Sequence, residues 1–169
     1  GTFGDQVPDD GPTFRREEPL DVMPFENCTP MRPAAASGGP ALMDRLACRL
    51  CPEDDGFRRG EPTWDPTMRG WFAFVAEEPV DAIGLLLAAD AFPPPIFNSD
   101  IPMAWVPTIE LTVHVRGNPA PGPLRVAFRC RFIHDGLLDE EGELWDSAGV
   151  LVAQSRQLSL MPRPVISDV

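Results

Sequence analysis

One carboxylate is placed where chemistry would need it. Asp90 lies in the apolar stretch PVDAIGLLLAADAF, which runs from Pro79 to Phe92. An acid at the C-terminal end of a helix meets the unfavourable end of the macrodipole, and an unpaired carboxylate among apolar neighbours is costly. Such a group either does chemistry or caps the exposed last turn before the prolines, and the pattern leaves both readings open. Cys48-x-x-Cys51 has a redox-type spacing but lacks the preceding strand of a thioredoxin-like site. A zinc site would need two more ligands, and only Cys28 is near in sequence. Free thiols are the simpler reading of these three and of Cys130. His114 falls on the polar face of an expected strand and His134 opens a loop, so both read as surface histidines. The four tryptophans read as core or interface residues. The run Asp139-Glu140-Glu141 reads as a solvated acidic loop. A G-x-S-x-G elbow, a P-loop, a dinucleotide fingerprint and a metalloprotease helix are all missing from the sequence.

The elements that must position Asp90 follow from pattern. Val80 to Ala91 is apolar on almost every side, which predicts a long buried helix that a sheet must wrap. Pro79 suits its first turn, and Pro93 to Pro95 stop it. Residues 68–76 read as a buried strand. Residues 105–116 alternate, with Ile109, Leu111, Val113 and Val115 on one face and Thr108, Glu110, Thr112 and His114 on the other. Residues 124–133 alternate again, leaving Arg125, Arg129 and Arg131 outside, where a cross-strand pair with Glu110 is expected. A hairpin turning at Asp146–Gly149 leads into the last strand. The layout is α+β: strand, helix, then four mostly antiparallel strands. Residues 1–66 hold ten of the twenty-one prolines and read as an arm or linker. Its one short helix would be Ala41 to Leu50, where Leu42, Leu46 and Leu50 repeat at helical spacing. A short tail, 164–169, closes the chain.

Bulk properties exclude several partners. A chain of 169 residues forms one domain and hides about 70% of its unfolded surface. A net charge of −12 with a pI near 4.4 opposes nucleic acid and anionic membrane surfaces, which select basic faces. All fourteen basic residues are Arg. No apolar run is long enough to span a membrane, and the expected location is the cytoplasm. An opening Gly1 suits a processed product, a trimmed one or an expression remnant equally.

From Gly70 to Arg163 the chain resembles the C-terminal hotdog domain of the TesB-like (type II) acyl-CoA thioesterases. The resemblance is carried by LLLAADAF, by WVPTIELTVHVR with GELWDSAGVLVAQ, and by the closing SRQLSLM. It implies a hotdog fold, an antiparallel sheet wrapped around one long central helix, over residues 67–163 with the Pro-rich N-terminal arm ahead of it. It also implies a site in which Asp90, Thr108 and Gln157 hold a water against the carbonyl of an acyl-CoA substrate, with no metal and no other cofactor. Members usually carry two hotdogs in tandem, so a second hotdog domain is the expected partner, as a homodimer or as a separate N-terminal half. The sequence departs from the family pattern at Glu110, where better-known members have Asp, and at Gly117, where a basic residue is expected.

The implied chemistry suits these residue types. A carboxyl in an apolar setting has its pKa raised toward that of a useful general base. Thr108 and Gln157 can aim a water, and backbone N–H groups can stabilise the oxyanion. A thiolate leaves readily, because its conjugate acid has a pKa near 8.5. The alternative is a hotdog that binds acyl chains without catalysis, or a half-enzyme that completes the site of a separate N-terminal hotdog. A hotdog dehydratase would want a His close to Asp90 on the helix, and none is there.

Overall fold

The computed structural model describes residues 12–16, 18–19, 21–31, 39–76 and 78–161. Of the arm expected over residues 1–66, residues 1–11, 17, 20 and 32–38 lie outside them, as does the tail 164–169. Seven strands form one antiparallel sheet: β1 (Thr29–Pro30), β2 (Arg49–Leu50), β3 (Thr67–Phe72), β4 (Thr108–Val115), β5 (Leu124–His134), β6 (Leu137–Trp145) and β7 (Leu151–Leu160). Their order across the sheet is β1-β2-β3-β5-β6-β7-β4. Among the described residues one α-helix, α1 (Ala82–Ala88), lies against it. The expected succession of strand, helix and four strands holds from β3 onward.

The helix is shorter and less enclosed than its composition predicts. It spans seven residues rather than the whole of Pro79 to Phe92. Asp81 sets its start by accepting the Gly84 N–H at 2.7 Å, a side-chain N-cap that leaves Pro79 and Val80 outside. Its end is drawn in by the prolines, which push the residues before them out of helical geometry; the Asp90 N–H bonds Leu87 O in a tightened turn. Leu85 and Ala88 are fully buried in the core that also holds Phe72, Leu124, Val126, Phe128 and Val152, whereas Ile83 is 74% exposed. Leu86 shares that open face. The sheet therefore covers one side of α1 only.

The segment ahead of β3 adds two short strands to the sheet. Over the expected helix, Ala41–Arg45 forms a 3₁₀ turn and Arg49–Leu50 a strand. Leu46, Cys48 and Leu50 are all buried while Leu42 is exposed, so the governing period is two and not 3.6. A longer 3₁₀ segment, Pro52–Arg59, buries Asp54 and Asp55.

The acidic run is not a loop. Asp139, Glu140 and Glu141 lie inside β6, paired on one side with β5 and on the other with β7. The loop is Asp135–Gly136, where φ is 49° and 78°; two consecutive positive φ values make the tight turn that suits strand twist. The turn at Asp146–Gly149 is as expected: Asp146 accepts the Ala148 and Val150 N–H groups, and Gly149 takes φ 77°. The expected pair between Glu110 and a β5 arginine does not form, because β4 lies beside β7. Arg129 and Arg131 pair instead with Glu143 and Glu141 on β6. Among the described residues no helix is long and apolar enough to cross a membrane.

Candidate active site

Three elements converge at one end of the sheet. The turn after α1 carries Asp90, the first residue of β4 is Thr108, and β7 supplies Gln157. All three line a cleft of about 670 Å³. Its walls include Phe57, Phe92, Phe97 and Phe128, and Trp105 stands at its mouth, 84% exposed.

The strand register explains why Thr108 and Gln157 meet. Thr108 lies opposite Ser159, and Leu111 opposite Gln157, with an irregularity between Thr108 and Glu110. That irregularity is a bulge-like slip, and it breaks the alternation expected along β4. Gln157 Nε2 donates to Thr108 Oγ1 at 2.8 Å and to Ser159 Oγ at 3.0 Å. Both amide hydrogens are thereby committed, while the amide oxygen can still accept. Thr108, which accepts one of them, keeps its own hydroxyl proton to donate. Asp90 shares the cleft but makes no hydrogen bond to Thr108 or Gln157 among the described residues. Its carboxyl is open to solvent on one side, and desolvation by the apolar wall on the other raises its pKa above the ordinary aspartate value.

A fourth polar residue in the cleft lay outside the expected set. Glu140, on β6, stands between Cys130 of β5 and Gln157 of β7. It is only 9% exposed and lines the cleft. Burial, reinforced by the negative charge of Asp90, pushes its carboxyl up to about 8. A carboxyl raised that far is neutral at physiological pH and can act as a hydrogen-bond donor. Its signal in the sequence was the alternation Leu138, Glu140, Gly142, Leu144 just after an Asp-Gly turn. Arg58 also lines the cleft, with its guanidinium 3.1 Å from Asp55.

The other candidates lie elsewhere. His114 is exposed on β4, and His134 sits in solvent 3.3 Å from Asp135. Cys28, Cys48, Cys51 and Cys130 are buried free thiols. The nearest Sγ pair is Cys28 with Cys51, at 4.0 Å, not the x-x pair. Burial pushes Cys48 and Cys51 up to about 12, which leaves them unreactive as thiols. Among the described residues no group of three or more His, Cys, Asp or Glu could hold a metal ion. Glu110 accepts from Thr112 on the outer surface, and Arg116, just before Gly117, is bonded to Gln154.

Comparison with known proteins adds a family. Residues 25–161 match the model of the acyl-CoA thioesterase C-terminal domain. A candidate thioesterase II from Thermobifida fusca YX is similar in structure, with TM-score 0.77 and 33% identity, over 93% of this chain and 58% of that one. A hot dog fold protein of unknown function from Alicyclobacillus acidocaldarius gives TM-score 0.73 at 22% identity, over 93% of this chain and 59% of that one. An uncharacterized protein of Mycobacterium tuberculosis H37Rv is 39% identical over 82 residues, which is 48% of this chain and 28% of its own. The chain thus spans under two thirds of each of these relatives.

Proposed function

The chain belongs to the acyl-CoA thioesterase C-terminal domain family, and on that premise we propose that it hydrolyses acyl-CoA thioesters through a water held by Asp90, Thr108 and Gln157. The observation that carries the reading is the 2.8 Å bond from Gln157 Nε2 to Thr108 Oγ1 in the cleft that Asp90 also lines. The Gln157 amide oxygen and the Asp90 carboxylate can accept the two hydrogens of one water, aiming its lone pair at the thioester carbon. Attack forms the C–O bond as Asp90 takes the water proton. The tetrahedral intermediate then expels the thiolate, which is protonated to CoA, and free acid remains. The apolar walls suit an acyl chain, and the cytoplasm is the proposed location of the reaction. The domain is proposed over residues 67–163, with residues 1–66 as an arm that also lends β1 and β2 to its sheet.

A second reading has its own support. Ile83 and Leu86 leave one face of α1 open, β4 is an edge strand, and the chain covers 58% of the Thermobifida relative. An open apolar helix face and a free edge invite a partner. In this reading a second hotdog domain, from another copy or a separate N-terminal half, completes the site, or this chain binds acyl groups without turning them over.

Thiol release from acyl-CoA thioesters of graded length, by wild type and Asp90→Asn side by side, tests the proposal. Hydrolysis by the wild type and a loss of about 10³-fold in the variant is the expected result, within the range for removal of an acid–base group. Equal rates would remove Asp90 from the mechanism. No turnover by either would favour the half-enzyme reading.

A further inference from the structure

We propose that Glu140 is a fourth catalytic residue of this site, donating a hydrogen bond from its carboxyl to the acyl oxygen of the bound thioester. The inference rests on the hydrolase reading above and deepens it. It begins from an account of donors. Expelling a thiolate from a thioester requires that negative charge build first on the acyl oxygen, and a donor aimed there is usually the largest single contribution to the rate. Gln157 cannot serve, because both of its amide hydrogens go to Thr108 and Ser159. The Thr108 hydroxyl is engaged with the attacking water, and backbone N–H groups are the other donors a thioester oxygen can meet. Arg58 faces its own acid, Asp55, and Trp105 lies out at the mouth.

Glu140 fills the gap. It is more than nine-tenths buried, makes no side-chain hydrogen bond among the described residues, and its strand places it directly beside Gln157. Its carboxyl opens on the cleft it lines, so its hydrogen bond is open to a ligand. A bound substrate oxygen supplies the missing partner.

Its surroundings keep the proton on it. Asp90 faces it from the turn after α1 and contributes negative charge. Cys130 faces it from β5 as a neutral thiol, itself pushed up to about 11. β7 and β4 present only the neutral Gln157, Ser159 and Thr108. On its own strand, Asp139 is engaged by Arg156 at 2.8 Å and Glu141 by Arg131. Among the described residues Arg58 is the cation lining this cleft, and Asp55 pairs with it. The step balances without net proton consumption at Glu140. Water gives its proton to Asp90, the acyl oxygen gains negative charge against the Glu140 O–H, and the charge returns to sulfur as the C–S bond breaks. Glu140 keeps its proton throughout.

The test compares pH–rate profiles of acyl-CoA hydrolysis for the wild type, Glu140→Gln and Glu140→Leu, with infrared difference spectra of wild type against Glu140→Gln. The expected wild-type rate falls as pH rises past about 8. Glu140→Leu lowers kcat about 100-fold with little change in KM, the size expected for one lost oxyanion donor. Glu140→Gln retains an N–H donor, recovers most of that loss, and lacks the alkaline fall. The wild type shows a protonated carboxyl band at pH 7 that Glu140→Gln lacks and that bleaches above pH 8. The role is overturned if the alkaline fall persists in Glu140→Gln, if Glu140→Leu matches Glu140→Gln while both fold, or if no such band is present at pH 7. Wild type that hydrolyses nothing at any pH would fail the hydrolase reading itself, and Glu140's part in it would fall as well. An unchanged profile in an active Glu140→Gln would fail the Glu140 role alone.

Discussion

Two regions of this molecule bury acids, and they treat them oppositely. Beneath the Pro52–Arg59 segment, Asp54 is 3% exposed and fully engaged. It takes the Arg69 backbone N–H at 2.8 Å and the Arg69 guanidinium through both carboxylate oxygens at 2.9 Å. That pairing holds the Arg69 guanidinium firmly protonated. On β6, Glu140 is nearly as buried but has no hydrogen-bonding partner among the described residues, and it faces a cleft. Asp54 behaves as a structural ion whose desolvation is offset by fork-like bonding. Glu140 can avoid the cost of a buried charge only by keeping its proton. The same residue class, at similar burial, is a staple in one place and a reagent in the other.

That contrast can be broken in order of expected effect. Asp54→Ala leaves Arg69 with only the exposed Glu53 as its acid and should cost about 3 kcal/mol, toward the lower end for a broken buried pair; this is roughly 10 °C in Tm for a domain of this size, measurable by thermal melting. An unchanged Tm would mean that the fork contributes little. Thr108→Val, at the cleft, takes the acceptor from one Gln157 amide hydrogen and should lower Tm by about 3 °C, for about 1 kcal/mol, while kcat falls about 100-fold, the lower end for a polar catalytic group; thermal melting and steady-state kinetics decide it.

Next comes pH. Glu140 is raised from 4.5 to about 8, so the folded state binds more protons than the unfolded state between those values. Its contribution is fully present below about pH 4.5 and is lost as pH rises through 8. Denaturant titrations should therefore show Glu140→Gln gaining stability relative to wild type from pH 5 to pH 9. A flat difference would mean that Glu140 is ionised in the fold. The smallest effect is expected at Arg131→Ala, whose bond to Glu141 lies in solvent: below about 0.5 kcal/mol by chemical denaturation. A larger loss would show that the outer face of the sheet is covered in solution.

Much of the sheet was legible in the sequence because alternation survives where both faces have distinct environments. β5 shows it as far as Cys130, with Leu124, Val126, Phe128 and Cys130 buried, whereas Phe132, expected on the same face, is exposed beyond the register slip after Cys130; the Asp146–Gly149 turn carried its own chemistry. β6 hid itself. Two of its inward positions are Glu140 and Gly142, which look like loop residues although Asp135-Gly136 supplied the hairpin signal. Gly142 is required there because any side chain would run into Phe128 and Ser155. Leu42, Leu46 and Leu50 fitted a helical period by accident, since tertiary pairing with β3 outweighs so short a local preference. Asp90 could be singled out from its apolar setting, whereas Thr108 and Gln157 entered only through family resemblance. The sequence showed no sign of their 2.8 Å contact, because it depends on the register between β4 and β7.

The shortness of α1 has a mechanical consequence. A seven-residue helix has no standing of its own in water, since nucleation is unfavourable and few bonds follow it. The Asp90 carboxyl, two residues beyond its end, is therefore cantilevered from Leu85 and Ala88, the two residues pressed against the sheet. Aim at the cleft is thus a property of the core: a methyl group lost beneath the helix, far from any reacting atom, tilts the carboxyl that stands at its tip.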